Sequence, residues 1–348
     1  MRLVIHIITL GSLLLLPHIS LARPEGVVIS AVGDIMLAGS ARPTLERHGY
    51  DYPFAATRDI LKKSDIAIGN LEAPIADRGS EFRDKKYRFK CAPDSARALR
   101  DAGFSLLTLA NNHILDFGAT GLQSTVRYLD GYGIRHCGAG STLNAARTPV
   151  IITVNGKRVA FLAYSLTQPV EFFATNRQGG TAPGYASFVT TDVRSARKSA
   201  DYVIVSFHWG RELSQTPSPA QVRLAHLTID AGADVILGHH PHVLQGIERY
   251  RQGIIFYSLG NFAFGSLSRS ADKSIIARIT LNGGINEVEI VPINVLNRQV
   301  HFRPTPLAGR EGDRVVEQLN RLSEGMGTVV AMSGERFLVS GFQRLARH

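Results

Sequence analysis

The feature that most narrows the fold is a regular alternation of short apolar runs with amphipathic stretches. The runs "GVVISAVGD" (26–34), "SDIAIGN" (64–70), "FSLLTLANN" (104–112), "RVAFLAYS" (158–165), "DYVIVSFHWG" (201–210), "ADVILGHH" (233–240) and "GIIFYSLGNF" (253–262) read as buried strands. Between them, "DSARALRDAG" (94–103), "TGLQSTVRYLDGYG" (120–133), "TDVRSARKSA" (191–200) and "SPAQVRLAHLTIDAG" (218–232) read as helices. The last of these opens on a Ser cap with Pro behind it and closes at Gly. Strands that alternate with helices predict an α/β fold. Beyond residue 265 the texture turns β-rich, in "KSIIARITL" and "NEVEIVPINVLNRQVHFRP", and ends in one helix, "DRVVEQLNRL" (313–322). This portion, 266–348, is expected to complete a single domain spanning 23–348 whose motif core is 27–265.

Several runs end in a polar residue able to hold a metal. These are Asp34 in "GDIM", Asn70 and Glu72 in "GNLE", Asn111, Asn112 and His113 in "NNH", His208 in "FHWG", and His239, His240 and His242 in "GHHPH". One such ending is an ordinary turn or cap. Repeated on separate strands, they predict convergence, because ligands of open α/β sheets bind at the carboxyl ends of strands that lie side by side. Carboxylates, an amide oxygen and imidazoles without thiolates suit a borderline divalent metal such as Zn, Mn or Fe. In an extended segment His240 and His242 point the same way, Pro241 stiffens the backbone between them, and His239 points to the opposite face.

Composition adds three constraints. The formal net charge is +10, which suits an anionic partner. Residues 1–22, "MRLVIHIITLGSLLLLPHISLA", carry one early arginine, an apolar stretch and small residues before Arg23, the pattern of a secretory signal peptide. The expected location is therefore exported, periplasmic or secreted, with membrane anchoring as the alternative if the leader is retained, and nucleic acid is not an expected partner. Export also allows the chain's two cysteines, Cys91 and Cys137, to pair, the alternative being two buried thiols.

Between residues 33 and 265, "GDIMLAGS", "GNLEAPI", "LANNHILDFG", "SFHWGREL", "GADVILGHHPHVLQGIE" and "YSLGNFAFG" resemble successive blocks of the CapA-type capsule and poly-γ-glutamate synthesis proteins, within the calcineurin-like metallophosphoesterase superfamily. The resemblance implies a four-layer αββα sandwich with two central mixed sheets and two metal ions at their rim. One ion would take Asp34, Glu72 and His242, the other Glu72, Asn112, His208 and His240. Met36 stands where the superfamily has a further histidine ligand, so the first set is the poorer. His113, oriented by Asp116, is implied as the catalytic group, and Asn70, Arg211 and Asn261 are weaker candidates for substrate contact. The implied function is an exported metal-dependent hydrolase of the phosphoesterase type in capsule or poly-γ-glutamate biosynthesis. The alternative is a noncatalytic accessory or anchoring factor. The implied partners are an anionic envelope polymer or a phosphorylated substrate, together with membrane-bound components of polymer synthesis.

Overall fold

The computed structural model describes residues 26–342; the expected leader over residues 1–22 lies outside them. Strand Val27–Met36 is the axis of the larger sheet and is buried along almost its whole length. On one side it pairs in parallel with Ile66–Leu71, which continues to Leu106–Thr108 and Arg135–Cys137. Its other side is shared. Residues 27–31 pair antiparallel with Lys273–Leu281, and from Asp34 onward the partner is Asn261–Phe264, in parallel. Beyond Lys273–Leu281 the sheet continues through Ile285–Asn294 to the hairpin Arg336–Val339 and Val330–Ser333.

The smaller sheet runs in the order Ile247–Tyr250, Gly253–Phe256, Val235–His239, Tyr202–His208, Lys157–Ser165, Val150–Val154. Its inner strands are parallel and its two edge pairs antiparallel, so both sheets are mixed.

Alternation along the strands decides the layers. Ile29, Ala31, Ile68 and Leu106 face Phe161, Ile204, Leu237 and Phe256 in an apolar core between the sheets. Intervening residues of the larger sheet, among them Leu107, pack on Leu99, Leu122 and Leu129 of helices Asp94–Ala102 and Gly118–Gly131. Those of the smaller sheet, Leu162, Val205 and Ile236, pack on Val189, Val193 and Leu224 of helices Ala186–Arg197 and Pro219–Asp230. The result is the expected helix, sheet, sheet, helix sandwich. Ser218 caps the last helix through a reciprocal bond pair with Gln221, as its sequence predicted.

Two runs behave differently from expectation. The run 104–112 is strand only at Leu106–Thr108, after which the chain leaves the sheet and carries Asn111, Asn112 and His113 over its edge. The run 253–262 is two strands in different sheets, Gly253–Phe256 in the smaller and Asn261–Phe264 in the larger. A continuous apolar run carries no mark of a crossing between two sheets when both are buried. The crossing is made close by glycine. A Cβ at Gly33 would lie 1.8 Å from the Gly260 carbonyl oxygen, the same oxygen that accepts from the Asp34 N–H at 3.0 Å. Among the described residues no helix is long and apolar enough to cross a membrane.

Cys91 and Cys137 are unpaired and buried, and burial pushes both thiols up to about 12. The second of the two sequence readings therefore holds, and neither thiol is reactive in the folded chain. A disulfide-exchange reagent should label no cysteine in native protein and two per chain in denaturant without reductant. Labelling that requires prior reduction would contradict this arrangement.

Candidate metal centre

Parallel pairing brings the polar strand ends into line. Asp34 is in register with Asn70 on one side and Asn261 on the other, and His208 is in register with His239 in the facing sheet. Asp34 is fully buried and accepts from the Asn70 side-chain amide at 2.8 Å and the His240 backbone N–H at 3.1 Å. His239 Nδ1 lies 3.2 Å from one of its oxygens and His242 Nδ1 3.3 Å from the other. Burial alone would push the Asp34 carboxyl up, but the hydrogen bonds and charge of His239 and His242 hold it well below the usual carboxylate range.

The expectation for "HHPH" is corrected here. The strand stops at His239, and His240 and His242 adopt φ of +90° and +60°, so the two-residue alternation of an extended segment does not apply. His239 is the one on the strand proper. By alternation with Val235 and Leu237 it faces the other sheet and meets Asp34 instead of pointing away. His240 and His242 reach the same place through the turn. Their ring centroids are 5.7 Å apart, and His240 is 4.7 Å from His208.

Glu72 is fully buried, and neither of its oxygens has a hydrogen-bond partner. One oxygen lies 3.5 Å from His208 Nε2 and 3.7 Å from His242 Nε2. Burial and then the Asp34 charge push its carboxyl well above the usual range. Burial also keeps His208 and His240 neutral, His240 down to about 3. His242, despite burial, is raised to about 9 by Glu72 and Asp34. As a carboxylate, an orphaned buried group of this kind costs several kcal/mol, on the order of a lost charge-assisted hydrogen bond or more, unless a cation or a proton neutralises it.

The residues fit a metal. Donor atoms of Glu72, His208 and His240 lie within 4.8 Å of one another, and so do those of Asp34, Glu72 and His242. These are the two sets that the family resemblance implies, apart from Asn112. Asn112 Oδ1 is 2.9 Å from His208 Nε2, which places it beside the first set.

The remaining candidates separate. Asn70 is engaged within the protein: it is 1 % exposed, donates to Asp34, lies 3.3 Å from His208 Nδ1, and its oxygen accepts from Asn111 at 3.1 Å. Asn261, also buried, has its oxygen 2.9 Å from His242 Nδ1 and so orients that ring. Arg211 is exposed. Asn111 splints the loop by accepting from the His113 and Ile114 N–H groups at 3.1 and 2.9 Å.

His113 Nδ1 lies 2.6 Å from Asp116, as expected, and a third member appears that sequence reading passed over. Lys85 donates to the other Asp116 oxygen at 2.6 Å and to the Asn112 carbonyl, and lies 2.9 Å from His113 Nδ1. Phe89 donates its N–H to Asp116 at 2.8 Å. In "RDKKYRFK" Lys85 looks like one charge of a solvated run, so only the tertiary contact distinguishes it. Burial is the leading influence on both His113 and Lys85, and it lowers each.

Against known proteins, residues 28–266 match the family model described as "Bacterial capsule synthesis protein PGA_cap". The chain belongs to that family. It is 34 % identical to the "Capsule biosynthesis protein CapA" of Bacillus anthracis over 85 % of this chain and 74 % of that one. To the "PGA biosynthesis protein CapA" of Bacillus subtilis it is 33 % identical over 80 % and 74 %. The NAD nucleotidase NadN of Haemophilus influenzae superposes with a TM-score of 0.49 at 13 % identity, over 85 % of this chain and 62 % of that one. This capsule-synthesis family member thus carries a buried His, Asp and Glu cluster at the rim of two mixed sheets.

Asp116→Ala removes the shared acceptor of His113, Lys85 and Phe89. It should lower unfolding free energy by about 3–5 kcal/mol, the cost of stripping one partner from a buried ion pair. Denaturant unfolding checks this. A loss under about 1 kcal/mol, the range of an exposed pair, would contradict the buried-network assignment.

Proposed function

We propose that this chain is an exported metal-dependent hydrolase of the phosphoesterase type, acting in the biosynthesis of an anionic envelope polymer such as poly-γ-glutamate. The observation that carries the reading is Glu72, a fully buried carboxylate with no hydrogen-bond partner, set between two imidazoles. Such a group is tolerable where divalent cations sit against it. Glu72, His208 and His240, with Asn112 beside them, would hold one cation, and Asp34, Glu72 and His242 a second, Mn, Zn or Fe by donor type. Bound there, a cation pair supplies charge neutralisation for an anionic substrate and activation of water near neutral pH.

The protein's own groups supply the rest. With Nδ1 turned to Asp116, His113 has Nε2 left to exchange a proton with the leaving oxygen. Lys85 and the Phe89 N–H hold the Asp116 carboxylate in place, which fixes the ring. Asn70 and Asn261 hold Asp34 and His242 and are positioning residues.

His240→Ala should lose metal and any phosphoester hydrolysis while remaining folded. His113→Ala should retain metal and lose rate by about 10²- to 10⁴-fold, the usual contribution of one acid–base group. Elemental analysis after dialysis, with turnover of phosphomonoester and phosphodiester chromogens, checks both. Equal metal in wild type and His240→Ala would sink the assignment.

The polymer, the membrane-bound synthesis partners and the exported location are supported by the family membership, the leader-like residues 1–22 and the +10 formal charge. The charge by itself also suits a noncatalytic accessory role. Binding to poly-γ-glutamate should fall steeply with added salt, since surface charges are screened beyond about 8 Å at physiological ionic strength. Salt-independent binding would leave the charge without a role in recognition.

A further inference from the structure

The metal centre has one solvent-exposed acid at its mouth. Glu212 lies in the turn after strand Tyr202–His208, and its carboxylate and donor nitrogens of His240 and His242 lie within 4.8 Å of one another. The turn is held in place. Gly210 reverses the chain at φ +85°, the Leu213 N–H donates to the Pro241 carbonyl at 2.8 Å, and the Gln245 side chain donates to the Ser214 carbonyl at 2.8 Å. Pro241 is the residue between His240 and His242, so the turn carrying Glu212 is tied to the segment carrying the two imidazoles. Leu213 accepts φ +60° to make that contact.

A second observation points to a ligand. His240 is 8 % exposed, and its Nδ1 is buried without a hydrogen-bond partner. Donor supply gives a reason for an extra acid here. The Asp34, Glu72 and His242 set has three donors where the Glu72, His208 and His240 set has Asn112 as a fourth beside it, and the Met36 side chain, buried in the outer apolar core with Ile35 and Leu37, adds none. The centre is short of a donor on that side. A further carboxylate is a donor of the type that Zn, Mn or Fe accepts beside imidazole.

We propose that Glu212 is a further ligand of the metal centre, its carboxylate joining the cation at His242 on the solvent-facing side of the cluster, with His240 beside it. The proposal rests on the metal-centre reading above and adds a donor that reading did not contain. Its exposure gives it a distinct property. The other carboxylates of the centre, Asp34 and Glu72, are fully buried. Glu212 can swing away at little desolvation cost, so an anionic substrate or inorganic phosphate could displace it without disturbing the buried donors.

The test is calorimetric titration of chelator-stripped full-length protein with Mn²⁺ or Zn²⁺, in wild type, Glu212→Gln, Glu72→Gln and Glu46→Gln. Glu46 is an exposed acid paired with Arg42 and serves as the charge control. Glu212→Gln should weaken the lowest-affinity class of bound cation by at least about tenfold, the lower end of what even an outer-shell partner is worth to a metal site. Tighter uptake should survive in that variant and be lost in Glu72→Gln, and Glu46→Gln should match wild type. An isotherm for Glu212→Gln that superimposes on wild type, or a loss equalled by Glu46→Gln, overturns the Glu212 assignment and leaves the buried centre standing. No uptake by wild type overturns the centre itself.

Discussion

The Asp34 carboxylate is the tie between the two sheets on which the site depends. It belongs to the central strand of the larger sheet, yet it accepts from Asn70 of that sheet and from the His240 backbone N–H of the smaller one, with His239 and His242 at ion-pair distance. Apolar packing between sheets is non-directional and would tolerate small slides. A buried charge with several directional partners does not, since each lost partner leaves a desolvated group behind. The glycine contact next to it acts in the same sense. With no side chain at Gly33, the Gly260 carbonyl comes close enough to take the Asp34 N–H, which brings Asn261 alongside Asp34.

Against that satisfied anchor, Glu72 stands out as its opposite. Two buried acids lie close enough that the charge of one raises the other, and of the two only Asp34 has hydrogen-bond partners in the protein. The fold therefore holds a buried carboxyl group with no hydrogen-bond partner between the neutral His208 and the raised His242, a local conflict with stability of the kind expected at a functional site. The neighbouring His113, Asp116 and Lys85 network is compensated internally, which fixes the His113 ring beside the cluster.

The rim is built from loops, and each is pinned by a specific contact. The loop bearing His113 is splinted by Asn111, and the turn bearing Glu212 is bonded to Pro241. Rigid strand ends place Asp34, His208 and His239, while Glu212 sits on a turn at the surface. That division suits the proposed centre, in which buried donors would keep metal while the surface side admits an anionic ligand.

The α/β class, most strands and helices, and the residue types of the centre were legible in the chain because they rest on local rules. Apolar periodicity sets the layers, Ser218 and Pro219 start a helix, and strand ends of parallel sheets converge. What tertiary structure alone decided concerns direction and long-range contact. A two-residue alternation placed His239 outside the centre, but the strand ends at that residue and positive φ at His240 and His242 cancels the alternation beyond it. The run 253–262 reads as one strand and is two, because apolar residues buried in either sheet look alike along the chain. Asn70 looked available to substrate until burial placed it between Asp34 and His208. Lys85 and Glu212 drew no reading from the chain, since a charged side chain gains its meaning from the partner it meets across the fold, and that partner is 31 residues away for Lys85 and Asp116.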